Sequence, residues 1–205
     1  MSKDNTCFAE KRTLRKNLAT AIETNGRLIL ETHGGNGTLW NSCYAGETAG
    51  VVFEHNPKKA EILALQRPGW LVINSDVVGA LKAGACDFMP FTWLDIDAYG
   101  DPWPTIEALF EPPRVLGRTC TLVVTDGLLT RLRLDNGWGI KSLASHVGWL
   151  EIFRRRGYLE ACRFICERIV APAGYAIADS GGCYAGPAKR MTLWYARLTR
   201  SGGEA

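Results

Sequence analysis

The 205-residue chain predicts an α/β fold, a doubly wound sheet of about seven strands that is mostly parallel, with an antiparallel strand at its C-terminal end. Three observations lead there. From residue 27 onward, short apolar runs alternate with segments of helical spacing, the order that a parallel sheet with crossover helices requires. Glycines cluster straight after the first apolar run, at Gly34, Gly35 and Gly37, where a strand turns into a helix. The last two strand-like runs are joined by a loop with no helix between them, which makes them antiparallel.

Taken in order, residues 6–24 place Leu14, Leu18 and Ile22 one turn apart, with Glu10, Lys11, Arg12, Arg15 and Lys16 on other faces. That spacing predicts an amphipathic helix, stopped by Gly26. Residues 27–32 read as a buried strand and 38–45 as a helix after the glycine turn. Strand, helix and strand follow at 50–55, 57–66 and 70–74, with Pro57 in the first turn of the helix. A short helix at 77–82, a strand at 91–97, a helix at 103–110 and a strand at 118–125 complete five strands. Residues 127–148 are mixed in character and predict an irregular insertion at the open end of the sheet. Residues 148–171 predict helix, with Cys162 and Cys166 on its packing face. Strands at 175–179 and 191–198, joined by a loop at 180–190, end the fold.

Composition sets outer limits. Hydrophobic residues make up 46% and charged residues 22%, as in globular chains, and no stretch nears the ~18 consecutive apolar residues of a membrane span. A net charge of +3 neither requires nor excludes a polyanionic partner. Seven scattered cysteines make disulfides and structural zinc unexpected, and the polar N-terminus argues against export, so a reducing cytoplasm is the expected compartment. The expected organisation is an N-terminal helix over 1–26, a single domain over 27–200 and a disordered tail over 201–205. Neither a membrane nor a metal is expected as partner, and the oligomeric state is left open.

The turn Glu31-Thr32-His33-Gly34-Gly35-Asn36-Gly37 sits where such sheets let a ligand touch backbone. Read as a dinucleotide motif it would place Trp40 where close helix packing needs a small residue, which disfavours a nicotinamide cofactor. What it resembles is the acidic-then-glycine motif of class I S-adenosylmethionine-dependent methyltransferases: Glu31, Gly35 and Gly37 match, and His33 stands where the family has its first glycine. The resemblance implies a Rossmann-like fold and S-adenosyl-L-methionine as cofactor. It also implies that Glu54, ending the second strand, accepts from the ribose hydroxyls, and that Asp76, ending the third, accepts from the adenine amine. His33 would add an imidazole beside them. Asp76 also reads as a helix N-cap before Val77.

The string Asp95-Ile96-Asp97-Ala98-Tyr99-Gly100-Asp101-Pro102 resembles the fourth-strand motif of amino-methyltransferases, and most of all that of tRNA guanine N2-methyltransferases, with Val124-Thr125-Asp126-Gly127 similar to their Thr-Asp segment. Ala98 replaces the motif's proline and Asp101 its serine, and no stretch corresponds to the additional C-terminal domain of those enzymes. By this resemblance Asp97 orients an exocyclic base amine whose lone pair is delocalised into the ring, and Tyr99 stacks on the base. Asp95, on the same side of the strand, is a second polar ligand or a buried partner. The expected activity is methyl transfer to an exocyclic amine of a nucleic-acid base, in RNA, notably tRNA guanine, or in DNA. A small-molecule or protein methyltransferase of the same fold, and a non-catalytic cofactor- or RNA-binding module, remain alternatives. Arg154, Arg155 and Arg156 fit either a helix C-terminus or phosphate binding. Lys189, Arg190, Arg197 and Arg200, interleaved with Tyr184, Trp194 and Tyr195, fit a nucleic-acid surface or a solvated strand face. His55 and His146 read as structural histidines.

Overall fold

Seven strands form one sheet in the order β3-β2-β1-β4-β5-β7-β6, in a computed structural model that describes residues 7–20, 26–98, 100–111, 114, 116–134 and 140–201. The parallel strands are β1 (Ile29–Glu31), β2 (Gly50–Phe53), β3 (Trp70–Ile73), β4 (Trp93–Asp97) and β5 (Thr119–Asp126). Strand β7 (Met191–Arg200) pairs antiparallel with both β5 and β6 (Tyr175–Ala185). The helices are α1 (Phe8–Thr20), α2 (Thr38–Cys43), α3 (Pro57–Gln66), α4 (Val77–Lys82), α5 (Trp103–Phe110), α6 (Leu128–Leu134), α7 (Trp149–Arg156) and α8 (Tyr158–Val170). No helix among the described residues is long and apolar enough to cross a membrane.

Side chains alternate across the sheet. Leu30, Val51, Leu94, Ile96, Leu122 and Val124 feed the larger core, which α4, α5 and α8 cover. Ile29, Val52, Trp93 and Val123 feed a smaller core under α1, α2 and α3. Asp95 and Asp97 share parity with Trp93 and so face the α1 side. Cys162 and Cys166 are buried in the larger core, as their spacing predicts.

Three local signals place helices at their expected bounds. Asn56 accepts from the N–H groups of Lys58 and Lys59 and starts α3 with Pro57 in its first turn, and Asp76 accepts from Gly79 to start α4. Pro102 precedes α5. Elsewhere the structure departs from the expectations. The segment 180–190 is largely strand, because Gly181 and Gly182 serve packing in place of turning: a Cβ on Gly182 would lie 2.5 Å from the Leu193 carbonyl oxygen and 2.7 Å from Leu159. The insertion after Gly127 contains α6, whose Leu128, Leu129 and Leu132 enter the larger core. Helix is interrupted at Gly157, with φ 92°, dividing α7 from α8. The tail beyond Ser201 and residues 1–6 and 21–25 lie outside the described residues, as does Tyr99.

Candidate active site

Because β1 to β4 run parallel, their last residues converge on one edge, and the chain reverses its winding direction between β1 and β4. A cavity opens there, lined by Lys11, His33, Gly35, Glu54, Asp76 and Asp97 among others. Five of the nine residues singled out from sequence therefore meet at one place.

The glycine turn shapes its floor. Gly34 donates to the Phe53 carbonyl at 2.9 Å, and a Cβ there would lie 2.5 Å from Leu63 and 2.7 Å from Val52, so the turn is pressed onto β2 and α3. Gly35 has φ +55° and open space where a Cβ would stand, which exposes backbone to the cavity. Its N–H donates to Glu54 Oε2 at 2.8 Å, and Asn56 N–H donates to Glu54 Oε1 at 2.9 Å. Oε1 also lies 3.4 Å from His55 Nδ1, so Oε2 is the oxygen with an acceptor direction left for a ligand. His33 Nδ1 lies 2.8 Å from the Thr32 hydroxyl, and burial pulls its pKa down, favouring the neutral imidazole. Asp76 caps α4 through Oδ2, as one of its sequence readings expects, and also lines the cavity. Gly37 starts α2 and packs against Gln66 and Leu63, away from the cavity.

Glu31 and Asp95 are engaged elsewhere. Glu31 is ion-paired with Arg67, whose guanidinium lies over Trp40 at 4.7 Å and Trp70 at 5.2 Å. Burial pushes the Glu31 carboxyl up to about 7 against the pull of Arg67. Asp95 is fully buried and holds Arg15 through two bonds of 2.5 and 2.6 Å, with the Tyr44 hydroxyl donating at 2.5 Å. Of its two sequence readings, the geometry shows the buried partner. Both of its oxygens are occupied, so a ligand would have to break the ion pair to reach it.

Asp97 lines the cavity with its side chain 16% exposed, and Lys11 Nζ lies 2.7 and 3.0 Å from its two oxygens. Burial raises its pKa, but Arg15, Lys11 and a hydrogen bond from Thr125 outweigh this and hold it below the ordinary value. Asp97 is therefore ionised at neutral pH and competent as an acceptor.

Sequence reasoning set Lys11 and Arg15 on faces of α1 other than that of Leu14 and Leu18; in the structure all four share the inward face, and Lys11 and Arg15 are buried against β4. One signal would have found them. Four helix residues rise about 6 Å and two strand residues about 6.6 Å, so cations at 11 and 15 match carboxylates at 97 and 95 when helix and strand run antiparallel. Tyr44, Arg67 and the tightly packed Gly34 carry no comparable sequence signal.

The basic segments resolve in part. Arg155 pairs with Glu151 on exposed α7. Trp194 is buried and stacked on Trp103 at 5.6 Å, so it belongs to the core and offers no surface for a base. Arg197 lies 3.9 Å from Asp179, and Tyr195 donates to the same carboxylate. His146 is buried beside Glu107, whereas His55 is exposed at the cavity rim.

No protein-family model matches the sequence, and neither does any curated protein. Solved structures do match in fold. The chain is similar to Trm1 from Pyrococcus horikoshii, solved with S-adenosyl-L-methionine, at a TM-score of 0.66 and 14% identity over 94% of this chain and 54% of that one. It is similar to M. jannaschii TYW2, solved with AdoMet, at 0.60 and 12% over 98% and 78%. The N-methyltransferase NodS from Bradyrhizobium japonicum WM9, solved with S-adenosyl-L-homocysteine, matches at 0.61 and 13% over 98% and 90%. The fold is thus that of the class I S-adenosylmethionine-dependent methyltransferases. Strand order and the antiparallel β7 agree with the architecture expected from sequence.

Proposed function

We propose that the protein is an S-adenosylmethionine-dependent methyltransferase acting on an exocyclic amine of a nucleic-acid base. The observation that carries the reading is the convergence of Gly35, Glu54, Asp76 and Asp97 on one cavity at the switch point of the sheet. The donor set suits the cofactor. Glu54 keeps an acceptor direction on Oε2 for a ribose hydroxyl, Asp76 keeps Oδ1 for an amine, and Gly35 leaves backbone uncovered. Trm1, TYW2 and NodS, which share the fold, were solved as complexes with the cofactor or its product.

When bound, the cofactor supplies an electrophilic sulfonium methyl. The chain supplies alignment. Ionised Asp97 accepts an N–H of the acceptor amine and turns its lone pair toward the cavity. Methylation would make the acceptor nitrogen more acidic, and Asp97 is placed to take the departing proton and pass it to water. Tyr99, two residues on, is assigned to stack on the base. A second cavity of about 430 Å³, lined by Gly100, Gly127, Thr130, Arg190 and Met191, lies beside the loop after β4 and offers an apolar slot with one cation at its rim.

The test is tritium transfer from labelled cofactor into tRNA, DNA and protein fractions, followed by mass spectrometry of the nucleosides. A methylated guanosine or adenosine, lost in Asp97→Asn by roughly 100-fold or more, supports the reading. Label entering only protein or small molecules would transfer it to the alternative acceptor classes, and cofactor binding without turnover would make the chain a binding module.

A further inference from the structure

Lys11 is the one cation at the cavity whose contacts and origin are both unusual. It comes from α1, outside the parallel strands and their crossovers, yet its side chain is only 8% exposed and touches both oxygens of the carboxylate assigned to the acceptor. Its aim is fixed by Arg15, one turn further along α1, through the buried pair with Asp95. Lys11 therefore cannot drift away without dragging on a fully buried ion pair.

A charge count shows what this does. Around the end of β4, Asp95 and Asp97 bring two negative charges and Arg15 and Lys11 two positive charges. Tyr44 stays neutral, because burial and Asp95 push its pKa well up, and His33 tends to the neutral form. Glu31 is matched by Arg67, and Glu54 and Asp76 stand with Lys59 and His55 at the other end of the cavity, by β2 and β3. The carboxylate of Asp97 is thus neutralised locally, although it keeps lone-pair directions that Lys11 does not use. An uncharged amine adds a hydrogen bond and no charge. An alkylammonium adds a second cation at a carboxylate already neutralised and only 16% exposed.

We propose that Lys11 is a charge filter on the acceptor site, excluding cationic amines from Asp97 and admitting neutral, ring-conjugated amines. This deepens the assignment of Asp97 as the acceptor's partner and rests on it. It separates nucleobase-type acceptors from aliphatic amines, which are protonated at neutral pH. Removing the Lys11 charge leaves a buried, unpaired carboxylate that attracts any small ammonium ion.

The experiment is calorimetric titration of the full chain with methylammonium chloride at constant ionic strength, using wild type, Lys11→Met, Lys11→Gln, Lys11→Arg and Lys11→Met/Asp97→Asn. Circular dichroism checks each fold, and the two neutral replacements stand in for one another. Methylammonium should bind Lys11→Met and Lys11→Gln at least about tenfold more tightly than wild type or Lys11→Arg, and the gain should vanish in the double variant. Equal binding in wild type and the neutral variants, or a gain that survives Asp97→Asn, overturns the filter. A parallel titration with S-adenosyl-L-methionine judges the cofactor separately, so absence of cofactor binding would defeat the proposed function while the methylammonium result still decides the role of Lys11.

Discussion

Replacing Arg15 by methionine leaves the Asp95 carboxylate inside the protein with the Tyr44 hydroxyl as its remaining side-chain donor. Both members of the pair are fully buried, so water cannot take the place of the guanidinium. Removing one partner of such a pair costs about 3–5 kcal/mol, because the remaining charge loses its counterion yet stays desolvated. For a chain of this size, 1 kcal/mol moves the midpoint of thermal unfolding by roughly 2–4 °C, so Arg15→Met should unfold roughly 6–20 °C lower. Thermal and urea unfolding followed by circular dichroism measures this. The companion variant Arg15→Met/Asp95→Asn removes the orphaned charge and keeps an acceptor for Tyr44, so it should recover most of the loss. A single variant within about 1 kcal/mol of wild type, or a double variant no better than the single, would refute the idea that this ion pair anchors α1 over β4.

Glu54→Gln keeps the size of the side chain but replaces one acceptor oxygen with a donor, which should weaken binding of S-adenosyl-L-methionine by about tenfold or more in calorimetry and also lower the unfolding midpoint, because either oxygen so replaced would face a backbone N–H. Gly34→Ala should lower stability by about 1–3 kcal/mol in urea, because its methyl meets Leu63 and Val52 at 2.5 and 2.7 Å; an unchanged midpoint would mean that the turn is looser than described. Burial pushes Asp126 up to about 7, although hydrogen bonds from Tyr158 and Leu128 pull the other way. Its folded value lies above the unfolded one of about 3.9, so its contribution to stability is complete below that pH and is lost as pH rises towards 7. Asp126→Asn should therefore gain on wild type between pH 5 and pH 8, read from urea midpoints at each pH, whereas wild type gaining on the variant over this range would contradict the assignment.

Where structure is set by neighbours in the chain, the sequence was enough. Asn56 with Pro57, and Asp76 ahead of Val77, mark helix starts because a cap satisfies backbone N–H groups two or three residues away. Alternation of strand and helix determined the parallel sheet, and with it the edge where Gly35, Glu54, Asp76 and Asp97 had to gather. Which of the acids remain available there was decided by tertiary contacts. Glu31 and Asp95 carry the same chemistry as Glu54 and Asp97, but Arg67 comes from 36 residues away and Arg15 from 80 to occupy them. Lys11 and Arg15 are buried for the same reason. They share the inward face of α1 with Leu14 and Leu18, while Arg12 and Lys16 stay exposed, and the approach of two carboxylates at matching spacing makes it favourable to bury two cations on that face. Gly181 and Gly182 have a like history, serving as strand residues because Tyr195 and Leu159 lie against them. Local hydrogen bonding and hydrophobic period are written along the chain. Pairing of buried charges is not, because its energy depends on which distant groups the fold brings within reach once water has been excluded.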